Sequence, residues 1–158
     1  MRRAAIVLVL FAAAGTSIPA LAKMAQDEAG RLVFAALKQG VNARRDAKTA
    51  EAFKLVQAEA KAIVSDLRKR YPAKPKAKPD RLETASNPLY FELNDRIKGA
   101  EHALRAGDPP APAAVFDAMT WITVEQQLHP ESPSNLDAPP AQVAARMRAY
   151  LLDLAKRP

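Results

Sequence analysis

The sequence predicts an all-α protein, an up-down four-helix bundle with an additional C-terminal helix. Apolar residues recur with a period near 3.5 in five successive segments, whereas no segment shows the long alternation typical of strands. The chain has 158 residues, of which 49% are hydrophobic and 26% charged. This length and composition suit one domain with a hydrophobic core and argue against general disorder.

The first two segments form the first predicted hairpin. Segment 24–39 can end at Gly40, since glycine commonly terminates helices. Segment 49–71 ends before Pro72, because the residue preceding a proline is disfavoured in helical geometry. The apolar faces predicted for these two segments are Ala29, Leu32, Val33, Ala36 and Leu37, then Phe53, Val56, Ala60, Ile63, Leu67 and Tyr71.

The remaining segments supply the second hairpin and the extra helix. The third begins with Asn87 as the N-cap and Pro88 at the first helical position, and Gly107 closes it. The fourth begins within 108–112 and ends near residue 128, and the last covers about 141–156. Their apolar stripes are Tyr90, Leu93, Ile97, Ala100 and Leu104; Val115, Met119 and Ile122; and Val143, Met147, Tyr150 and Leu154.

The first 22 residues predict a cleaved export signal. Two arginines precede an apolar run at 4–14, and Ala20-Leu21-Ala22 forms a small-x-small cleavage site. A membrane anchor needs about 20 apolar residues, roughly twice this run. The mature chain is therefore expected to be the single domain 23–158, soluble in the periplasm and not membrane-spanning.

Positive charge is concentrated between the two hairpins. The chain carries 24 basic and 17 acidic residues, a net charge of +7, and seven of the basic residues lie within 68–81 beside one acidic residue. The Pro/Lys-rich linker 72–86 is interpreted as a stiff, solvated tether. The alternative is a binding segment for an acidic protein or anionic lipid. Nucleic acid is not expected as a partner, and no oligomeric state is predicted.

Residue types and motifs exclude several functional classes. The chain has no cysteine, so it contains no disulfide, thiolate metal site or covalent haem attachment. Nucleophile elbows and phosphate-binding glycine loops are also missing from the sequence. The predicted core rows contain no charged residue that would grip a substrate. We therefore expect a binding protein and not an enzyme.

The two histidines occupy different positions. His102 falls on the predicted wet side of the third segment. His129 extends the apolar stripe of the fourth segment, since steps of four and three residues from Ile122 lead to Gln126 and His129. One interpretation is a histidine that caps a helix end, where the dipole favours positive charge. The other is an imidazole directed into one end of the bundle, where cofactor and metal sites are built.

An export signal, two helical hairpins and a histidine at the end of the fourth helix resemble the small periplasmic b-type cytochromes. Segment 90–107, followed 22 residues later by His129, is similar in layout to that family. The resemblance implies a non-covalent haem b bound by Met24 and His129, with an electron-transfer role. It covers about residues 24–129.

Two alternatives use neighbouring residues of the fourth segment. Glu125 and His129 stand four residues apart, so both can face one metal ion on a helix. A second apolar row, Trp121, Val124 and Leu128, widens the buried face, and the last helix is the expected cover for it. If that row is exposed, the chain is instead a cofactor-free interaction, adaptor or chaperone-like module that uses this row and the basic linker.

Overall fold

A computed structural model describes residues 24–40, 46–72, 87–130 and 139–158. These ranges contain five helices and no strand, which confirms the all-α prediction. The helices are α1 (Gln26–Gln39), α2 (Ala47–Arg70), α3 (Pro88–Arg105), α4 (Pro112–Leu128) and α5 (Pro139–Lys156). The predicted export signal and all but the first residue of linker 72–86 lie outside the described residues.

The helix ends follow from local chemistry. Gly40 ends α1 with φ +68°, a left-handed conformation that glycine adopts at low cost. The side chain of Asp46 accepts a hydrogen bond from the backbone N–H of Thr49 at 2.9 Å and so caps α2. Asn87 caps α3 as predicted, because its Oδ1 accepts from the backbone N–H of Leu89 at 3.0 Å.

This cap is expected to contribute to the stability of the fold. Replacing Asn87 with alanine removes the acceptor for an otherwise unpaired N–H, so we expect the free energy of unfolding to fall by about 1 kcal/mol. Asn87→Asp keeps an acceptor at this position and should retain most of the stabilisation that the cap provides. Urea denaturation of the two variants measures the difference, and equal stabilities would contradict the capping role.

Helix α4 is the centre of the fold, since it packs against all four other helices. The two hairpin partners, α1 with α2 and α3 with α4, are in contact, and α5 packs on α1 and α3 as well as on α4. Because α4 is surrounded, residues all around it are buried: Ala114, Val115, Phe116, Ala118, Thr120, Ile122, Val124 and Glu125. The final helix is thus an integral part of the core.

Two faces of α4 meet different neighbours. One face carries Ile122, Gln126 and His129, which line a cavity together with residues of α5. Trp121 instead lies in a groove formed with α2 and α3. Trp121 therefore lies away from the last helix, which was expected to cover its row, whereas Ile122, Gln126 and His129 face that helix.

None of the helices in the described ranges combines the length and apolar character that crossing a bilayer requires.

Candidate functional site

The candidate site is a cavity of about 220 Å³ between the C-terminal half of α4 and α5. Three polar residues of α4 and its end, Glu125, Gln126 and His129, line it together with Arg148 of α5. The rest of the wall is aliphatic and dominated by alanines of α5: Ile122, Ala141, Ala144, Ala145, Ala149 and Leu152. A few polar groups in a mainly apolar concavity are typical of a ligand site.

Helical spacing brings the two predicted metal ligands into contact. Nδ1 of His129 lies 2.7 Å from Oε1 of Glu125, one helical turn earlier. A carboxylate only accepts hydrogen bonds, so Nδ1 carries a hydrogen and donates a hydrogen bond to Oε1 of Glu125. Nε2 of His129 has no partner among the described residues. This imidazole side chain is half-exposed, 51% by area.

Glu125 is buried, which the sequence did not predict. Only 4% of the residue is exposed, and its Oε2 is buried with no hydrogen-bond partner in the described part of the chain. The apolar rows predicted for this helix do not include Glu125, so its burial was missed. The signal is present in the spacing, because steps of four, three and four residues connect Ala118, Ile122, Glu125 and His129.

The Glu125 carboxylate sets the protonation of His129. Its hydrogen bond raises the pKa of His129 above the ordinary value of 6.5, although partial burial acts in the opposite direction. The stabilisation that this pair provides therefore has its full value below about pH 6.5. It is lost as the pH rises through the raised pKa of His129. A proton on Nε2 competes with a metal, so metal binding should weaken as pH falls through the same range.

His129 lies at the position that the helix-capping interpretation requires, directly after the last residue of α4. His129 is the C-cap residue of α4, and its backbone N–H donates to the carbonyl oxygen of Glu125 at 3.0 Å. Its imidazole is bonded to the Glu125 carboxylate, and no described backbone carbonyl accepts from it. The side chain is thus held by a specific partner at the edge of the cavity.

Met24 and His102 lie away from this site. Met24 is partly buried against the hydrophobic core but does not line the cavity. Gly30, near the start of α1, contacts Pro112 at the start of α4, whereas His129 follows the other end of that 17-residue helix. Seventeen helical residues span about 25 Å. His102 is exposed, as predicted.

Among the described residues at this site, Nε2 of His129 is the free nitrogen donor, because Oε1 of Glu125 bonds Nδ1 and Oε2 is buried. No group of three or more His, Cys, Asp or Glu side chains able to hold one ion occurs within the described ranges. A metal bound here would take its remaining ligands from water or, in haem, from the porphyrin nitrogens. Comparisons with protein families, curated proteins and solved structures found no match to this chain.

Proposed function

We propose that this chain is an exported, non-catalytic binding protein that holds a metal centre through Nε2 of His129. Glu125 is the positioning residue, because its carboxylate fixes the Nδ1–H tautomer and orients the ring. Carboxylate–histidine–metal arrangements of this kind raise the basicity of the ligating nitrogen. The observation that carries the proposal is the 2.7 Å contact between Glu125 and His129 at the edge of a cavity.

The proposed metal centre is either a divalent ion or the iron of haem. The alanine wall of α5 and the guanidinium of Arg148 suit a flat ligand with carboxylate substituents. However, a cavity of about 220 Å³ is smaller than pockets of about 300–1,000 Å³ that enclose organic ligands. The cavity can therefore enclose a hydrated ion completely, whereas a haem would be only partly enclosed. When bound, the ion would supply Lewis acidity, and haem iron a redox-active centre.

Three parts of the proposal stay predictions. Electron transfer by a haem held between Met24 and His129 is the first, and the position of Met24 counts against it, because Met24 does not line the cavity and α1 begins near the opposite end of α4. Export to the periplasm depends on residues 1–22, which lie outside the described ranges. The third is the up-down order of the first four helices. The close approach of Gly30 in α1 to Pro112 in α4 counts against it, because that order would place the start of α1 beside the end of α4.

The proposal is tested by titrating the purified protein separately with hemin and with Zn²⁺. We expect a saturable Soret change with hemin or saturable heat with Zn²⁺, because either metal can accept the free Nε2 lone pair. This binding should be lost in His129→Ala. The two titrants distinguish a haem protein from an ion-binding protein.

The chain provides its own control, since it contains two histidines. His102 is exposed on α3 and does not line the cavity. His102→Ala should therefore bind like the wild type. Failure of both titrants to bind the wild type, or equal binding by His129→Ala, would contradict the proposal.

A further inference from the structure

Among the described residues, three ionisable side chains line the cavity between α4 and α5: Glu125, His129 and Arg148. The first two bond each other, whereas Arg148 forms no ion pair or hydrogen bond with any residue that the structure describes. Glu125 and Arg148 thus carry opposite charges on the wall of one cavity without pairing. The cavity is therefore able to hold a group that pairs with the arginine.

Arg148 differs in this respect from the two other arginines of the C-terminal segment. Arg146, two residues earlier, lies 3.0 Å from a carboxylate oxygen of Glu101 in α3. Arg157, which follows α5, lies 3.0 Å from a carboxylate oxygen of Asp153 in that helix. Carboxylates of this chain therefore bind both of these guanidinium groups. The guanidinium of Arg148 remains available for a carboxylate from outside, and its planar fork matches the geometry of that group.

A metal bound at this cavity needs further donors and further negative charge. The described lining offers it one free nitrogen, Nε2 of His129, because the Glu125 carboxylate is bonded to Nδ1 and buried. The single negative charge of Glu125 is already offset by the positive charge of Arg148, so the charge of a divalent ion would be left uncompensated. A chelating carboxylate supplies oxygen donors that such ions accept, and it also offsets their charge.

Building on the proposed metal site, we infer that the cavity binds its metal as the complex of a divalent ion with a small polycarboxylate. The ion is held by Nε2 of His129 and is chelated by some of the carboxylates of that molecule. A carboxylate that is not used in chelation pairs with Arg148. Arg148 is then the residue that distinguishes this complex from the free ion.

The size of the cavity suits a ligand of this class. Its volume of about 220 Å³ corresponds to about seven water molecules at about 30 Å³ each. This space is sufficient for an ion together with a small organic acid, whereas a haem would be only partly enclosed. The alanines of α5 leave room for such a molecule beside Arg148, since they are the smallest side chains on that wall.

The test uses Zn²⁺ and citrate, whose three carboxylates allow chelation and leave one group for Arg148. Equilibrium dialysis with radiolabelled citrate measures the citrate retained by the protein, with and without equimolar Zn²⁺. We expect saturable retention of citrate that requires Zn²⁺ and is lost in His129→Ala. Calorimetry compares Zn²⁺ alone, Zn²⁺ with citrate, and Zn²⁺ with iminodiacetate, whose two carboxylates are both used in chelation. A protein that takes only the free ion would lose zinc binding when citrate is added, because citrate competes for the ion.

Variants of two arginines of α5 give the matched control. Arg148→Gln should weaken binding of the citrate complex about threefold to fivefold, the range of an exposed ion pair. It should leave binding of Zn²⁺ alone and of the iminodiacetate complex unchanged or tighter, because a nearby positive charge is removed. Arg146→Gln should bind all three like the wild type, since Arg146 does not line the cavity.

Three results would overturn the inference: zinc binding without retained citrate, no binding of Zn²⁺ in any form, or equal binding of the citrate complex by Arg148→Gln and Arg146→Gln. The first and third results leave the metal site at His129 in place. Failure of both hemin and Zn²⁺ to bind contradicts that site itself.

Discussion

Replacing Gly30 with alanine is expected to lower the free energy of unfolding by about 3 kcal/mol, the upper part of the range for overpacked cores. Gly30 is buried in α1, and a Cβ atom at this position would lie 1.9 Å from the carbonyl oxygen of Pro112 and 2.7 Å from its carbon. Both are backbone atoms in the first turn of α4. The two helices would have to separate to admit one methyl group.

Gly99 provides the control for this substitution. It lies in α3, is exposed, and an added Cβ would have no neighbour within 4 Å. Gly99→Ala should therefore stabilise the protein by up to about 1 kcal/mol, because alanine has the higher helix propensity. Urea denaturation gives both values. A Gly30→Ala variant as stable as the wild type would contradict the close approach of α1 and α4.

Replacing Glu125 with methionine is expected to weaken metal binding by about 10- to 100-fold, the usual cost of losing the partner that orients a ligand. At a pH above the raised pKa of His129, where the pair no longer adds stability, the same substitution should leave the free energy of unfolding unchanged or raise it by about 1 kcal/mol. Methionine is close to glutamate in shape, and it removes a buried carboxylate whose Oε2 has no described partner. Metal affinity is therefore expected to fall while stability does not. A residue with a purely structural role would instead lose stability when it is replaced.

Gln126→Met is the matched control, because Gln126 lines the same cavity but does not bond His129. Its affinity for the metal should stay within about twofold of the wild type, as usual for a substitution that breaks no specific contact. Affinity is measured with whichever of hemin and Zn²⁺ binds the wild type. If Glu125→Met binds as tightly as Gln126→Met, Glu125 does not position the ligand.

The sequence predicts the helices well because their determinants are local. Caps and prolines define the ends, so the predicted bounds agree with the observed ones to within two residues. The predicted row of α3 is buried at Leu93, Ile97, Ala100 and Leu104, whereas Tyr90 at its start is only partly buried. In α2 the buried face is shifted and includes Ala52 and Val64 in place of Phe53 and Ile63, because α1 and α4 both contact this helix.

The candidate site was only partly predictable, because it depends on how the helices pack. The i,i+4 spacing correctly placed Glu125 beside His129. The spacing also places Glu125 in one row with Ala118, Ile122 and His129, but the row of α4 that is buried depends on where α5 packs. For the same reason, the contact between Gly30 and α4 could not be predicted from the periodicity of α1.

The most direct test of the account is the protonation of the His129 ring, followed by ¹⁵N NMR across a pH titration. We predict a proton on Nδ1 in the neutral ring, and a pKa that falls in Glu125→Gln because the anionic partner is lost. Adding whichever of hemin and Zn²⁺ binds the protein should then shift the Nε2 resonance. A neutral ring protonated on Nε2, with the same pKa in Glu125→Gln, would contradict the claim that Glu125 holds His129 ready as a metal ligand.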